Sequence, residues 1–107
     1  MNLKNFFMLL CCAGLTIIAC KKDEDQPAPV ACFVIEHEVV NAGETAHFTS
    51  CATDAHHFEW NFGDAATSPD VIPTHIYNTA GTYSVAQHVF NADMSKSDMT
   101  TDTIIVN

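Results

Sequence analysis

The stretch Phe58–Asp64, FEWNFGD, sets three aromatic residues at alternate positions (Phe58, Trp60, Phe62) and closes on Gly63-Asp64. Alternation of period two marks a strand with one face turned to a core, and Gly-Asp is turn chemistry. The only tryptophan of the chain and one of its four glycines lie here. The stretch therefore reads as a central core strand, His56–Phe62, with its three aromatics pointing inward.

The flanking segments repeat the pattern. Upstream, Val30–Glu36 sets Ala31, Phe33 and Ile35 on one side, Asn41-Ala42-Gly43 signals a turn, and Glu44–Cys51 sets Ala46, Phe48 and Ser50 on one face. Pairing Cys32 with Cys51 places Phe33 opposite Ser50 and Ile35 opposite Phe48. One register thus gathers the apolar residues on one face and both cysteines on the other, which predicts a cross-strand disulfide. The bond would close a loop of about 20 residues and contribute roughly 3 kcal/mol. Downstream, the loop Gly63–Asp70 leads to a strand at Val71–Tyr77, and Asn78–Gly81 turns again. Thr82–Phe90 alternates Tyr83, Val85, Gln87 and Val89 against Thr82, Ser84, Ala86 and His88. Asn91-Ala92-Asp93 turns, and Thr101–Val106 ends the chain with Ile104 and Val106 on one face. Gly43, Gly63 and Gly81 fall in predicted turns, where a positive φ suits glycine. From Val30 onward no helical period persists. The expectation is an all-β sandwich of six to seven short strands.

Three motifs in this body carry a resemblance: Phe58-Glu-Trp60-Asn-Phe62-Gly-Asp64, then His75-Ile-Tyr77, then Gly81-Thr-Tyr83-Ser-Val85. Together they resemble the signature of the PKD domain, an immunoglobulin-like β-sandwich. The resemblance spans residues 30–107 and marks Trp60, Phe62, Gly63, Asp64, His75, Tyr77, Gly81 and Tyr83 as fold-motif residues. It implies a non-catalytic module engaged in extracellular contacts. This chain departs from the family pattern at three places. Asn61 stands for the usual Asp and Ala65 for the usual Gly, which predicts an altered turn after Phe62. Gln87 occupies a core-face position where an aliphatic is usual, so its amide is either satisfied or poorly fitted.

The N-terminus reads as an address. Met1–Asn5 carries Lys4, and Phe6–Ala19 is a run of 14 apolar or small residues, short of the ~20 needed to cross a bilayer. This is the layout of a signal peptide, residues 1–19. Ile17-Ile18-Ala19-Cys20 resembles the lipobox of bacterial lipoproteins, which makes Cys20 the candidate for acylation and membrane anchoring. Cys11 and Cys12 lack a small residue before them. Residues 20–29 then form a charged, proline-containing linker, Lys21–Pro29 reaching at most ~30 Å. Its charge run resembles an export signal of lipoproteins displayed on the outer cell face. An exported chain also meets the oxidising conditions that a disulfide requires.

Thirteen acids against four lysines give a net charge of −9. Loss of Lys4 with the leader makes it −10, three lysines against thirteen acids. Such a balance speaks against nucleic acid, whose phosphates need a basic face. The histidines and carboxylates do not form a recognisable catalytic or metal pattern. His56 and His57 are adjacent and point to opposite faces of a strand. His37 and His47 lie roughly opposite each other on an outward face, weighed as a surface zinc pair and read as solvated. Asp64 and Asp70 lack calcium-loop spacing, and Asp64 is expected to accept backbone N–H groups in its own turn. No catalytic residue, cofactor or metal is assigned. The function expected is a lipid-anchored, non-catalytic interaction module of the outer membrane, exposed at the cell surface or, alternatively, facing the periplasm, with an envelope or extracellular protein or glycan as partner. A carbohydrate-binding accessory role is the alternative, with Phe90 as its one outward aromatic; one exposed patch joining Phe90 to the face bearing His37, His47 and Thr49 would favour a partner.

Overall fold

The structure, a computed structural model, describes residues 26–107. These residues hold eight strands and no helix: β1 (Phe33–Ile35), β2 (Val39–Val40), β3 (Thr45–Ser50), β4 (His57–Asn61), β5 (Thr67–Ser68), β6 (Thr74–Ile76), β7 (Gly81–Phe90) and β8 (Ser97–Val106). They form two sheets, one ordered β1-β3-β6 and the other β2-β8-β7-β4-β5. All pairings are antiparallel except β2 with β8, which is parallel.

The hairpin register is the one the cysteines select. Phe33 pairs with Ser50 and Ile35 with Phe48, and Cys32 and Cys51 are disulfide-bonded with Cα atoms 4.9 Å apart. Phe48 and Ile35 are buried on the inner face.

Between β1 and β2 the chain changes sheets. Glu36 N–H still donates to His47 O at 3.0 Å, continuing the first sheet, whereas Glu38 O already accepts from Ile105 N at 2.8 Å in the second. The switch lets Ile35 and Val40 enter one core from two different sheets. β2 and β5 are absent from the sequence reading because two residues cannot display an alternation. β8 also starts four residues earlier than Thr101. Asp98, Thr100 and Asp102 stand opposite the inward residues Val89, Gln87 and Val85 yet are exposed or half-buried. That half of the strand runs along the rim of the sandwich, so it has no apolar rhythm to read.

The core joins Ile35, Val40, Ala46, Phe48, Trp60, Phe62, Tyr77, Val85, Ile104 and Val106. Trp60 is fully buried. It meets Phe33 edge-on at 5.1 Å between centroids, Phe48 at 5.8 Å and Phe62 at 6.5 Å. Its indole N–H would be costly to bury unpaired, and it donates to Asp70 O at 2.7 Å. Of the three aromatics expected inside, Trp60 and Phe62 are buried, but Phe58 is only half-buried. Phe58 packs at the edge of the cluster rather than within it.

Gln87 resolves cleanly. It is fully buried, its Oε1 accepts from Cys32 N at 2.8 Å, and its Nε2 donates to Ser50 Oγ at 3.0 Å. A β7 side chain thereby ties the five-stranded sheet to the β1–β3 hairpin. The amide is satisfied, and its partners explain why an aliphatic is not needed here.

Part of the expected linker is described, and it lies against the sandwich. Pro29 is buried, Val30 bridges Thr53, and Gln26 is held at the β7–β8 turn. There Asn91 Nδ2 donates to Gln26 Oε1 at 3.0 Å and Lys96 Nζ to Gln26 O at 2.6 Å.

Candidate functional site

The fold-motif residues come together at one end of the sandwich. After β4 the chain turns back sharply. Gly63 N–H donates to Asn61 Oδ1 at 2.9 Å, and Ala66 N–H donates to Asp64 Oδ1 at 3.2 Å. Asn61 thus supplies the same acceptor an aspartate would. Gly63 has φ 89°, and a Cβ there would lie 2.6 Å from Ser84 O, so the close approach to β7 admits no side chain. Ala65 has φ 79°. The turn holds this alanine in the left-handed region, which glycine adopts freely, at a cost of roughly 1–2 kcal/mol. Gly81 stands at the first position of β7 rather than in the preceding turn.

From this turn Asp64 Oδ2 reaches His75 Nε2 at 2.7 Å. The imidazole lies flat on Phe62, centroids 4.3 Å apart and planes 6° from parallel, and meets Tyr77 edge-on at 4.6 Å. Tyr77 OH donates to Phe62 O at 2.8 Å, and the Tyr77 ring packs on Tyr83 at 4.5 Å. Tyr83 OH in turn donates to Thr79 O at 2.6 Å. Burial works to raise the Asp64 carboxyl, but the hydrogen bond and charge of His75 and the Ala66 N–H outweigh it and hold Asp64 below its ordinary value. Burial, with the nearby Asp64 charge, pushes the Tyr77 phenol well above its ordinary value, so it remains a donor. The network pins the β4–β5 turn to β6 and β7. His75 is a packing residue within it, with its ring held between two aromatics and its Nε2 committed to Asp64.

The other titratable residues stay apart. His47 faces outward on β3 opposite Thr74, while exposed His37 lies beyond β1, its Nε2 4.0 Å from Glu36. Asp64 spends its oxygens on Ala66 and His75. Among the described residues no group of three or more His, Cys, Asp or Glu side chains is placed to hold a metal ion. Cys20, the leader 1–19 and residues 21–25 lie outside the described residues.

Phe90 and the His47–Thr49 face do not form one patch. Phe90 belongs to β7 in the five-stranded sheet, His47 and Thr49 to β3 in the other. Phe90 is half-buried, with its ring 4.3 Å from that of His88. The pair lies on the outward side of β7, beside Glu59 on β4 and Met99 on β8. A shallow depression of about 200 Å³ opens there, lined by Glu59, Asn61, Thr67, Ala86, His88 and Met99. The sequence signal for this surface was the outward phase of Phe90 and His88; the partners from β5 and the first half of β8 had none.

Two sheets, a sheet-switching first strand and an aromatic network at the β4–β5 turn define an immunoglobulin-like β-sandwich module. The PKD-domain family profile matches residues 26–106, and the chain belongs to the PKD domain family. Members of that family are generally non-catalytic modules. Among solved structures, the chain is similar to the PKD1 domain of the Vibrio cholerae metalloprotease PrtV: 32% identity, TM-score 0.64, covering 76% of this chain and 99% of that one. It is also similar to the PKD1 domain of Vibrio anguillarum Epp: 25% identity, TM-score 0.65, covering 78% and 98%. A third likeness is to a structure of carbohydrate-binding modules of the β-sandwich superfamily, studied for promiscuous specificity. There the identity is 27% and the TM-score 0.71, over 78% of this chain but only 36% of that one. No curated protein matches the chain.

Proposed function

We propose that this chain is a lipid-anchored, non-catalytic interaction module of the bacterial envelope. Acylated Cys20 holds it at the outer membrane, exposed at the cell surface, where it contacts an extracellular protein or glycan. The observation that carries this reading is the short distance between the lipobox and the sandwich. Ile17-Ile18-Ala19-Cys20 stands just upstream of a PKD domain in which Gln26 is already held against the sandwich. Six residues reach at most ~20 Å, so a lipid on Cys20 puts the module close to the bilayer. The Cys32–Cys51 disulfide suits the oxidising side of a membrane.

The test is phase partitioning. The wild-type protein is expected in the detergent phase and Cys20→Ser in the aqueous phase. Unchanged partitioning of Cys20→Ser would sink the anchoring claim.

A carbohydrate-binding accessory role is the second reading. The likeness to carbohydrate-binding modules favours it, and so does the Phe90–His88 ring pair on an open sheet face. A glycan array probed with the wild-type protein tests it, and retention of no glycan would remove it.

A further inference from the structure

On the outward face of the five-stranded sheet, register sets side chains from three strands in rows. Glu59, His88 and Met99 form one row; Asn61, Ala86 and Thr101 form the next. Ala86 is the small residue between them, and its size makes the depression of about 200 Å³ that Thr67 closes from β5. His88 lines one side, with the Phe90 ring beyond it at 4.3 Å between centroids, and Met99 is 58% exposed. Asn61 Oδ1 is engaged by Gly63 N–H, while its Nδ2 donates to none of the described residues.

From this arrangement we propose that the depression is a subsite for a neutral oligosaccharide. The proposal rests on the second reading above and gives it a place. A pyranose presents an apolar C–H face and a rim of hydroxyls. Here the rings and the thioether offer an apolar surface for the first, and Glu59, Asn61 and the threonines offer acceptors and donors for the second. The depression is smaller than the roughly 300–1,000 Å³ of a site enclosing a drug-sized ligand, and it suits one sugar ring of a longer chain. Charge selects the class of sugar. Residues 26–107 carry ten acids and one lysine, a net of −9 with His neutral, so uronic-acid or sulfated glycans are repelled.

The experiment uses the full-length protein in phosphocholine micelles, which carry no sugar headgroup, with its methionine methyl groups labelled for NMR. Hexaoses of xylose, glucose, mannose and N-acetylglucosamine are titrated in, with hexagalacturonate as the acidic comparison. At least one neutral hexaose is expected to shift the Met99 methyl signal while Met94, in the β7–β8 turn, stays put. Glu59→Gln and Ala86→Gln, both on the open face, are expected to weaken that binding by about tenfold or more. Binding that survives both substitutions overturns this site while leaving sugar binding standing. No Met99 shift with any neutral hexaose, together with an empty glycan array, overturns the site and the sugar-binding reading together. A stronger response to hexagalacturonate overturns the charge argument. Phase partitioning of Cys20→Ser reports on anchoring independently of all of these.

Discussion

Gln87 Nε2 donates to Ser50 Oγ across the sandwich at 3.0 Å, while the same amide accepts from Cys32 N through Oε1 at 2.8 Å. One fully buried polar side chain therefore fastens both strands of the disulfide hairpin to β7. Gln87→Leu keeps most of the volume but leaves the Cys32 N–H without its acceptor, at a cost of about 1–3 kcal/mol. Urea unfolding measures it. A variant as stable as the wild type would show that the tie contributes nothing.

The β4–β5 turn holds two small residues whose substitutions have opposite signs. Ala65 has φ 79°, so Ala65→Gly relieves backbone strain and is expected to stabilise by about 0.5–1 kcal/mol net of the added unfolded-state entropy. Gly63→Ala would bring a Cβ to 2.6 Å from Ser84 O at φ 89°, and a loss of about 2 kcal/mol or more is expected. Thermal midpoints that move the same way for both would refute the strain argument.

Asp64 gives the stability a pH dependence of definite sign. Its carboxyl is held below the ordinary value in the folded chain, so folding favours the charged form. That contribution is whole above the unfolded value of about 4 and is lost as pH falls below it. The wild type should therefore lose stability more steeply than Asp64→Asn between pH ~5 and 2. Parallel urea-midpoint curves for the two proteins would sever the Asp64–His75 contact from stability.

The Cys32–Cys51 bond spans a sequence separation of 19, and its removal is expected to cost about 3 kcal/mol. Cys32→Ser with Cys51→Ser, compared with the wild type under reducing and oxidising conditions, checks this. The double variant should match the reduced wild type. A double variant as stable as the oxidised protein would remove the disulfide from the stability argument.

Much of this fold was legible because its strands advertise themselves in two ways at once. The β1–β3 register followed from requiring Cys32 to meet Cys51 and Ile35 to meet Phe48, and each condition checked the other. Trp60, Phe62, Val85 and Val89 followed from alternation alone. Other parts carried no such signal. β2 and β5 are two residues each, and the first half of β8 lies at the rim, where burial imposes no pattern. Gln87 was visible as an anomaly, yet its partners Cys32 N and Ser50 Oγ lie 55 and 37 residues away. The outward surface around Ala86 was hidden for the same reason. Residues from β4, β5, β7 and β8 become neighbours only through the registers of the second sheet.

The parallel pairing of β2 with β8 has a mechanical meaning. Gln26 is held by the β7–β8 turn, and Asn107 lies beside Val40 and Ala42 at the far end of β8. Tension between these points runs along β8. It loads the bonds Ile105 N to Glu38 O, Asn107 N to Val40 O and Ala42 N to Asn107 O in shear, so they must yield together rather than one after another. Force applied between Gln26 and Asn107 therefore meets its greatest resistance along the axis of β8.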